Sequence, residues 1–159
     1  MEYTFKAIGT IRSPYHSKQG MPIQGVFEPG GEGMVEVFET YIQGLEDLEG
    51  FSHLILIYVF HLSKGYELLC RPYMEDKLHG VFSTRAPRRP NPVGFSVVKL
   101  LRREGSILHI SEVDVIDGTP LLDIKPYVPR FDERPGVQVG WMEGTFRSGL
   151  FRKVSDDRF

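Results

Sequence analysis

The sequence contains one cysteine, Cys70, in 159 residues, so no internal disulfide can form and nothing calls for an oxidising compartment. The longest apolar run, Leu54 to Phe60, is far too short to span a bilayer. The opening residues MEYTFKAIGT lack the basic-then-apolar layout of a secretory signal. Positive charge is not in excess: the formal net charge is -2, which excludes a chain-wide nucleic-acid footprint and confines any RNA contact to local patches. These absences suggest a cytoplasmic protein with no membrane partner. Phosphate-cradling motifs are missing as well. There is no GxxxxGKS/T and no GxGxxG after a strand, which argues against a doubly wound nucleotide fold. Without a GxSxG, a serine-hydrolase elbow has no support. No metal-site spacing occurs. His53 and His61 bracket an extended run, and that much strand separates them by roughly 26 Å, so they do not share an ion. His53 reads as a strand-end packing residue, whereas His61 stands at the strand exit, where sites tend to form.

What remains is a globular composition, 41% hydrophobic and 25% charged, in a length that suits one core. Residues 3–11 read as a first strand. Residues 12–33 hold five glycines and three prolines with little periodicity and read as a long loop. MVEVF (34–38) is a short strand, and 41–50 offers one or two helical turns ending at Gly50. LILIYVF is a buried strand. GVFSTR reads as a strand, and 94–103 and 106–114 flank a turn at Glu104-Gly105, a hairpin signal. IDGTP (116–120) is a turn and LLDIKPY (121–127) another strand. GWMEGTFRS reads as a last strand. Many short strands at this spacing make the fold mostly β, a barrel or a sandwich with minor helix.

Three constellations carry possible chemistry. FSTRAPRRPNPVG (82–94) sets Arg85, Arg88, Arg89 and Asn91 among three prolines. Proline fixes its own φ and restricts the residue before it, so this loop can present guanidinium forks at low entropic cost. Arginine suits phosphate and carboxylate groups. A surface turn that ends a strand accounts for the same residues. In DGTPLLDIKPY, Asp123, Lys125 and Tyr127 share strand parity and one face. They form either a structural ion pair with a neighbouring ring or a group able to orient a substrate and move a proton. In MPIQG (21–25), Gln24 and the loop backbone can bond a base or an amide, or the loop is passive.

Taken together and in order, GTIRSPY, FSHLILIYVFH, FSTRAPRRPNPVGFSVVKL, DGTP and DIKPY resemble the TsaA/TrmO-like tRNA methyltransferases. The resemblance is strongest over residues 5–130. It implies a single compact β-barrel domain over 1–159, without the extra C-terminal domain common in bacterial members, and a homodimer. It implies S-adenosyl-L-methionine (SAM) as cofactor, no metal, and methylation of N6 of N6-threonylcarbamoyladenosine at tRNA position 37. Residue by residue, it assigns SAM to Pro22, Ile23, Gln24, His61, Leu62, Arg85, Phe95, Asp117, Gly118, Thr119 and Pro120. Within that frame Asp123, Lys125 and Tyr127 are the catalytic candidates, and Arg88, Arg89 and Asn91 face the RNA. Two other functions fit the same residues: a SAM-dependent enzyme with a small-molecule acceptor, and a non-catalytic module binding SAM or RNA.

Overall fold

A computed structural model describes residues 1–159. Its strands are β1 (Gly9–Arg12), β2 (Glu32–Val37), β3 (His53–Val59), β4 (Leu69–Cys70), β5 (His79–Gly80), β6 (Val93–Glu104), β7 (Ile107–Ser111) and β8 (Thr119–Pro126); short helices α1 (Pro129–Asp132) and α2 (Met142–Ser148) follow. Six strands close an antiparallel barrel in the order β1-β2-β7-β6-β3-β8, and β4 pairs β5 apart from it. Closure removes sheet edges, which is how an all-antiparallel domain avoids exposed pairing groups.

Alternation builds the core. In β3, Leu54, Leu56 and Tyr58 are buried and the residues between them face out. Val35 and Val37, Val98 and Leu100, Leu108 and Ile110, and Ile11 and Leu121 meet them inside. The long β6 serves two neighbours. Its first half pairs β3, from Val93↔Val59 to Lys99↔His53. Its second half pairs β7, and the irregularity between Leu100 and Arg102 lets it bend from one partner to the other. The hairpin turn lies where the sequence puts it, with Gly105 at φ +61.

Four strand expectations are corrected. Residues 3–11 form a strand only from Gly9, with Ile8 bonded to Leu121 and Phe38 just ahead of it. GVFSTR is not a strand: Val81–Ser83 is a 3₁₀ turn, held by Ser83 Oγ donating to Gly80 O at 2.7 Å and Thr84 Oγ1 to Val81 O at 2.9 Å. Such local side-chain bonds give the backbone an alternative to a ladder. GWMEGTFRS is largely helix α2, bracketed by left-handed Gly140 (φ 58) and Gly149 (φ 64) and carrying a Glu143–Arg147 pair at 3.5 Å. The second hairpin strand stops at Ser111, since Glu112 takes φ 66 and turns the chain away. Residues 41–50 do turn, as 3₁₀ segments Glu39–Leu45 and Leu48–Gly50 that bury Leu45 and Leu48.

Gly94, on the inward face of β6, packs against two rings. A Cβ there would meet Tyr58 at 2.5 Å and Phe60 at 2.6 Å. Gly94→Ala is expected to lower unfolding free energy by about 1–3 kcal/mol in a urea titration. An unchanged midpoint would mean that both rings yield.

Candidate functional site

At the barrel mouth, β3 ends, β6 begins and β8 begins, and the loops between them enclose a cleft of about 630 Å³. Four stretches supply most of its wall: the long loop around Met21–Gln24, the β3 exit at Phe60–Ser63, the proline–arginine loop, and the segment Asp114–Ile116 ahead of β8. Strand ends fix the positions, and prolines restrict the backbone between them.

Two polar networks order this cleft. In the first, Arg85 Nη1 donates to Gln24 Oε1 at 2.6 Å, and its guanidinium lies 4.7 Å from the centre of the Phe95 ring. One cation is thereby held by an amide and an aromatic face, from two loops and a strand. In the second, the Asp114 carboxylate accepts the Gly25 N–H at 3.0 Å and the Ser96 hydroxyl, and Ser96 Oγ is 2.9 Å from the Tyr58 hydroxyl. Ser96 and Tyr58 are buried in the barrel. Gly25 has to be glycine, because a Cβ would meet Glu112 O at 1.7 Å. Asp114 therefore ties the Met21–Gln24 loop to the barrel through the residue that follows that loop.

Burial pushes the Asp114 carboxyl up to about 6; its bonds with Ser96 and Gly25 and the charge of Arg85 pull the other way. Burial also raises the Tyr58 hydroxyl, with the Asp114 charge adding to it, so Tyr58 stays protonated. Among the side chains lining the cleft Asp114 is the one carboxylate, and Lys18, Arg85 and Arg89 are the cations.

The residues singled out in the sequence divide. Pro22, Ile23, Gln24, His61, Leu62, Arg85, Phe95 and Thr119 line the cleft, as do Arg89 and Asn91. Asp117, Gly118 and Pro120 do not. Asp117 accepts the Ser13 N–H at 3.1 Å and donates its own N–H to Tyr15 O at 2.7 Å, clamping the loop that follows β1. Gly118 supplies the turn at φ +79, and Pro120 pairs with Thr10. Arg88 points elsewhere, 3.2 Å from Glu67. Arg89 Nη1 donates to Thr84 O at 3.1 Å, bracing the loop on either side of Arg85. Asp123 and Lys125 lie further along β8, and Tyr127 follows its last residue. Lys125 Nζ is 2.7 Å from Asp123 Oδ2 on the outer face, and Tyr127 meets the His53 ring edge-on at 6.4 Å. Asp123 is about 13 Å along the strand from Thr119.

Asp114 escaped the sequence reading. Its signal was a carboxylate between Val113 and Val115, both of which are core residues. Ser155, Phe159 and Tyr73 also line the cleft, from segments without a motif.

Residues 10–133 match the tRNA-methyltransferase O N-terminal domain. A probable S-adenosyl-L-methionine-binding protein of Pyrococcus abyssi is 55% identical over 155 residues, 98% of this chain and 84% of the relative. The tRNA (adenine(37)-N6)-methyltransferase of Escherichia coli is 35% identical over 151 residues, 89% of this chain and 64% of the relative. A crystal structure of TrmO from Pseudomonas aeruginosa superposes with a TM-score of 0.75 at 37% identity, covering 89% of this chain and 63% of that one. The chain thus spans just under two thirds of the Escherichia coli and Pseudomonas aeruginosa proteins.

A carboxyl whose folded pKa is raised favours folding fully below its unfolded value, near 4, and that contribution is lost as pH rises through about 6. Across that window wild-type stability should fall relative to Asp114→Asn by on the order of 2–3 kcal/mol. Urea titrations of both proteins from pH 4 to 7.5 measure this, and parallel curves would place the carboxyl in a far wetter setting.

Proposed function

Because the chain belongs to the tRNA-methyltransferase O family, whose domain model covers its barrel, we propose that it transfers the methyl group of SAM to N6 of N6-threonylcarbamoyladenosine at tRNA position 37. The observation that carries this reading is the pairing, in one cleft, of a fixed guanidinium and an enclosed carboxylate. SAM is a zwitterion with an added sulfonium charge. Arg85 suits its carboxylate, and Asp114, ionised at neutral pH, suits its cationic centres. Pro22, Ile23, Phe95 and Thr119 offer the mixed apolar and polar wall that a nucleoside needs. With three side-chain cations against one side-chain carboxylate, the cleft also favours an anionic acceptor over a neutral one.

In the reaction the acceptor nitrogen forms a bond to the methyl carbon while the carbon–sulfur bond breaks and sulfur keeps the electron pair. The products are S-adenosylhomocysteine, the methylated base and a proton from N6. Holding donor and acceptor in line supplies much of the acceleration. We assign proton transfer to Asp123, Lys125 and Tyr127. At their distance along β8 they reach an acceptor only where a second copy brings its β8 to this cleft, in the homodimer implied by the resemblance. Arg88, Arg89 and Asn91 are assigned to the RNA backbone or the threonyl carboxylate. The cytoplasm is the compartment that such a substrate requires.

Incubation with methyl-labelled SAM and tRNA, with and without the threonylcarbamoyl group, is the direct test. Label should pass to modified tRNA alone. Transfer to neither, despite tight SAM binding, would refute the assignment, and label in small molecules that survives RNase treatment would favour the small-acceptor alternative. Arg85→Ala should weaken SAM binding about tenfold or more, whereas Arg88→Ala should spare SAM and weaken tRNA binding.

Lys125→Ala should lower kcat by about 10- to 100-fold with an unchanged SAM dissociation constant. Equal kcat values in steady-state assays would reduce Asp123–Lys125 to a surface ion pair.

A further inference from the structure

Residues 151–159 run from one wall of the cleft to the other. On the first wall Ser155 sits against the Lys18–Ile23 stretch. Its N–H donates to Met21 O at 2.8 Å, its carbonyl accepts the Gly20 N–H at 3.0 Å, and its hydroxyl accepts the Met21 N–H at 3.0 Å while donating to Lys18 O. The Ile23 N–H donates to Lys153 O at 2.9 Å, completing a two-stranded bridge between Pro22 and Val154. Phe151 packs on Phe27, ring centres 5.7 Å apart. At the far end, Arg158 Nη1 donates to Pro72 O at 2.7 Å, and Phe159 meets the Tyr73 ring edge-on at 5.1 Å. Phe159 is buried with Cys70, Val81 and Ala86, immediately beside Arg85 in the chain. Ser155 and Phe159 themselves line the cleft.

The Met21–Gln24 loop belongs to no barrel strand. Its backbone has two attachments, Gly25 to Asp114 on the barrel side and Ser155 with Lys153 on the other, and the Gln24 side chain adds its bond to Arg85. Without the second, the amides of Gly20, Met21 and Ile23 have no protein acceptor, and the loop that presents Pro22, Ile23 and Gln24 hangs from one end. Ordering such a loop on binding costs conformational entropy at every residue fixed, so a pre-ordered loop binds more tightly. The strap lies outside the stretch that defines the family.

We propose that residues 151–159 are a strap that holds the two cleft walls in register and thereby sets ligand affinity, with Ser155 as the positioning residue for the Met21–Gln24 loop. The affinity part rests on the cofactor reading above. Ser155→Pro removes both the hydroxyl and the N–H donor, Phe159→Ala frees the far anchor, and Ser155→Thr keeps the hydroxyl. Amide hydrogen exchange on the full chain reads the strap itself, and calorimetry with SAM and S-adenosylhomocysteine reads affinity. In Ser155→Pro, exchange at Gly20 and Ile23 should accelerate about tenfold or more while the β3 and β6 amides keep their protection. Dissociation constants should rise about tenfold or more in Ser155→Pro and Phe159→Ala and stay near wild type in Ser155→Thr. Unchanged exchange at Gly20 and Ile23, or faster exchange with unchanged affinity, overturns the proposal. If wild-type protein binds neither compound, the cofactor reading fails, and the exchange result alone decides the strap.

Discussion

The carboxylate of Asp114 accepts hydrogen bonds from two unrelated parts of the chain, the backbone of Gly25 and the hydroxyl of Ser96 on β6. Ser96 points into the barrel, where Tyr58 of β3 meets it, so the carboxylate is anchored to two adjacent strands. Gly25 is pressed against the backbone of Glu112 and tolerates no side chain. The loop before Gly25 cannot shift without breaking a bond to a buried charge, and removing one partner of such a charge is costly. Gln24 then meets Arg85, and Arg85 rests on Phe95. The arrangement of the mouth follows from where that one carboxylate is held.

Its cost is visible in the same place. A carboxyl enclosed enough to titrate near 6 is less stable charged in the folded protein than in water. A barrel designed for stability alone would place an apolar residue between Val113 and Val115. Keeping aspartate there, facing a cleft that also holds an arginine, fits a ligand that carries both charges, and binding of a cation beside it would lower its pKa again. Family membership points to SAM, and the opposite charges of Arg85 and Asp114 in one cleft are compatible with it.

The sequence displayed the barrel better than its mouth. LILIYVF and GFSVVKLLRR alternate cleanly, and the Glu104-Gly105 turn joins the predicted strands, because strand burial and hairpin turns are encoded locally. GWMEGTFRS misled because its aromatic and threonine residues suit a strand, whereas the glycines flanking it and a pair four residues apart settle it as helix. Arg85 and Gln24 both stood out in their loops, and only the resemblance to a family assigned either of them to SAM. Asp114 did not stand out, since its partners lie 89 and 18 residues away. The strap was invisible for the same reason: its bonds to Met21 span 134 residues, and on the Met21 side they meet backbone atoms only, which leave no residue-type signature. Asp123, Lys125 and Tyr127 share the face that parity assigns them, but parity does not say which end of the barrel that face adjoins.

If SAM is held at the barrel mouth, it lies between Arg85 and Asp114. A crystal structure with S-adenosylhomocysteine tests it most directly. The ligand should lie in the mouth cleft, its carboxylate within hydrogen-bond reach of Arg85 and its amino group facing Asp114. A ligand bound on the outer face of β8, or in the cleft with neither residue in reach, would contradict it.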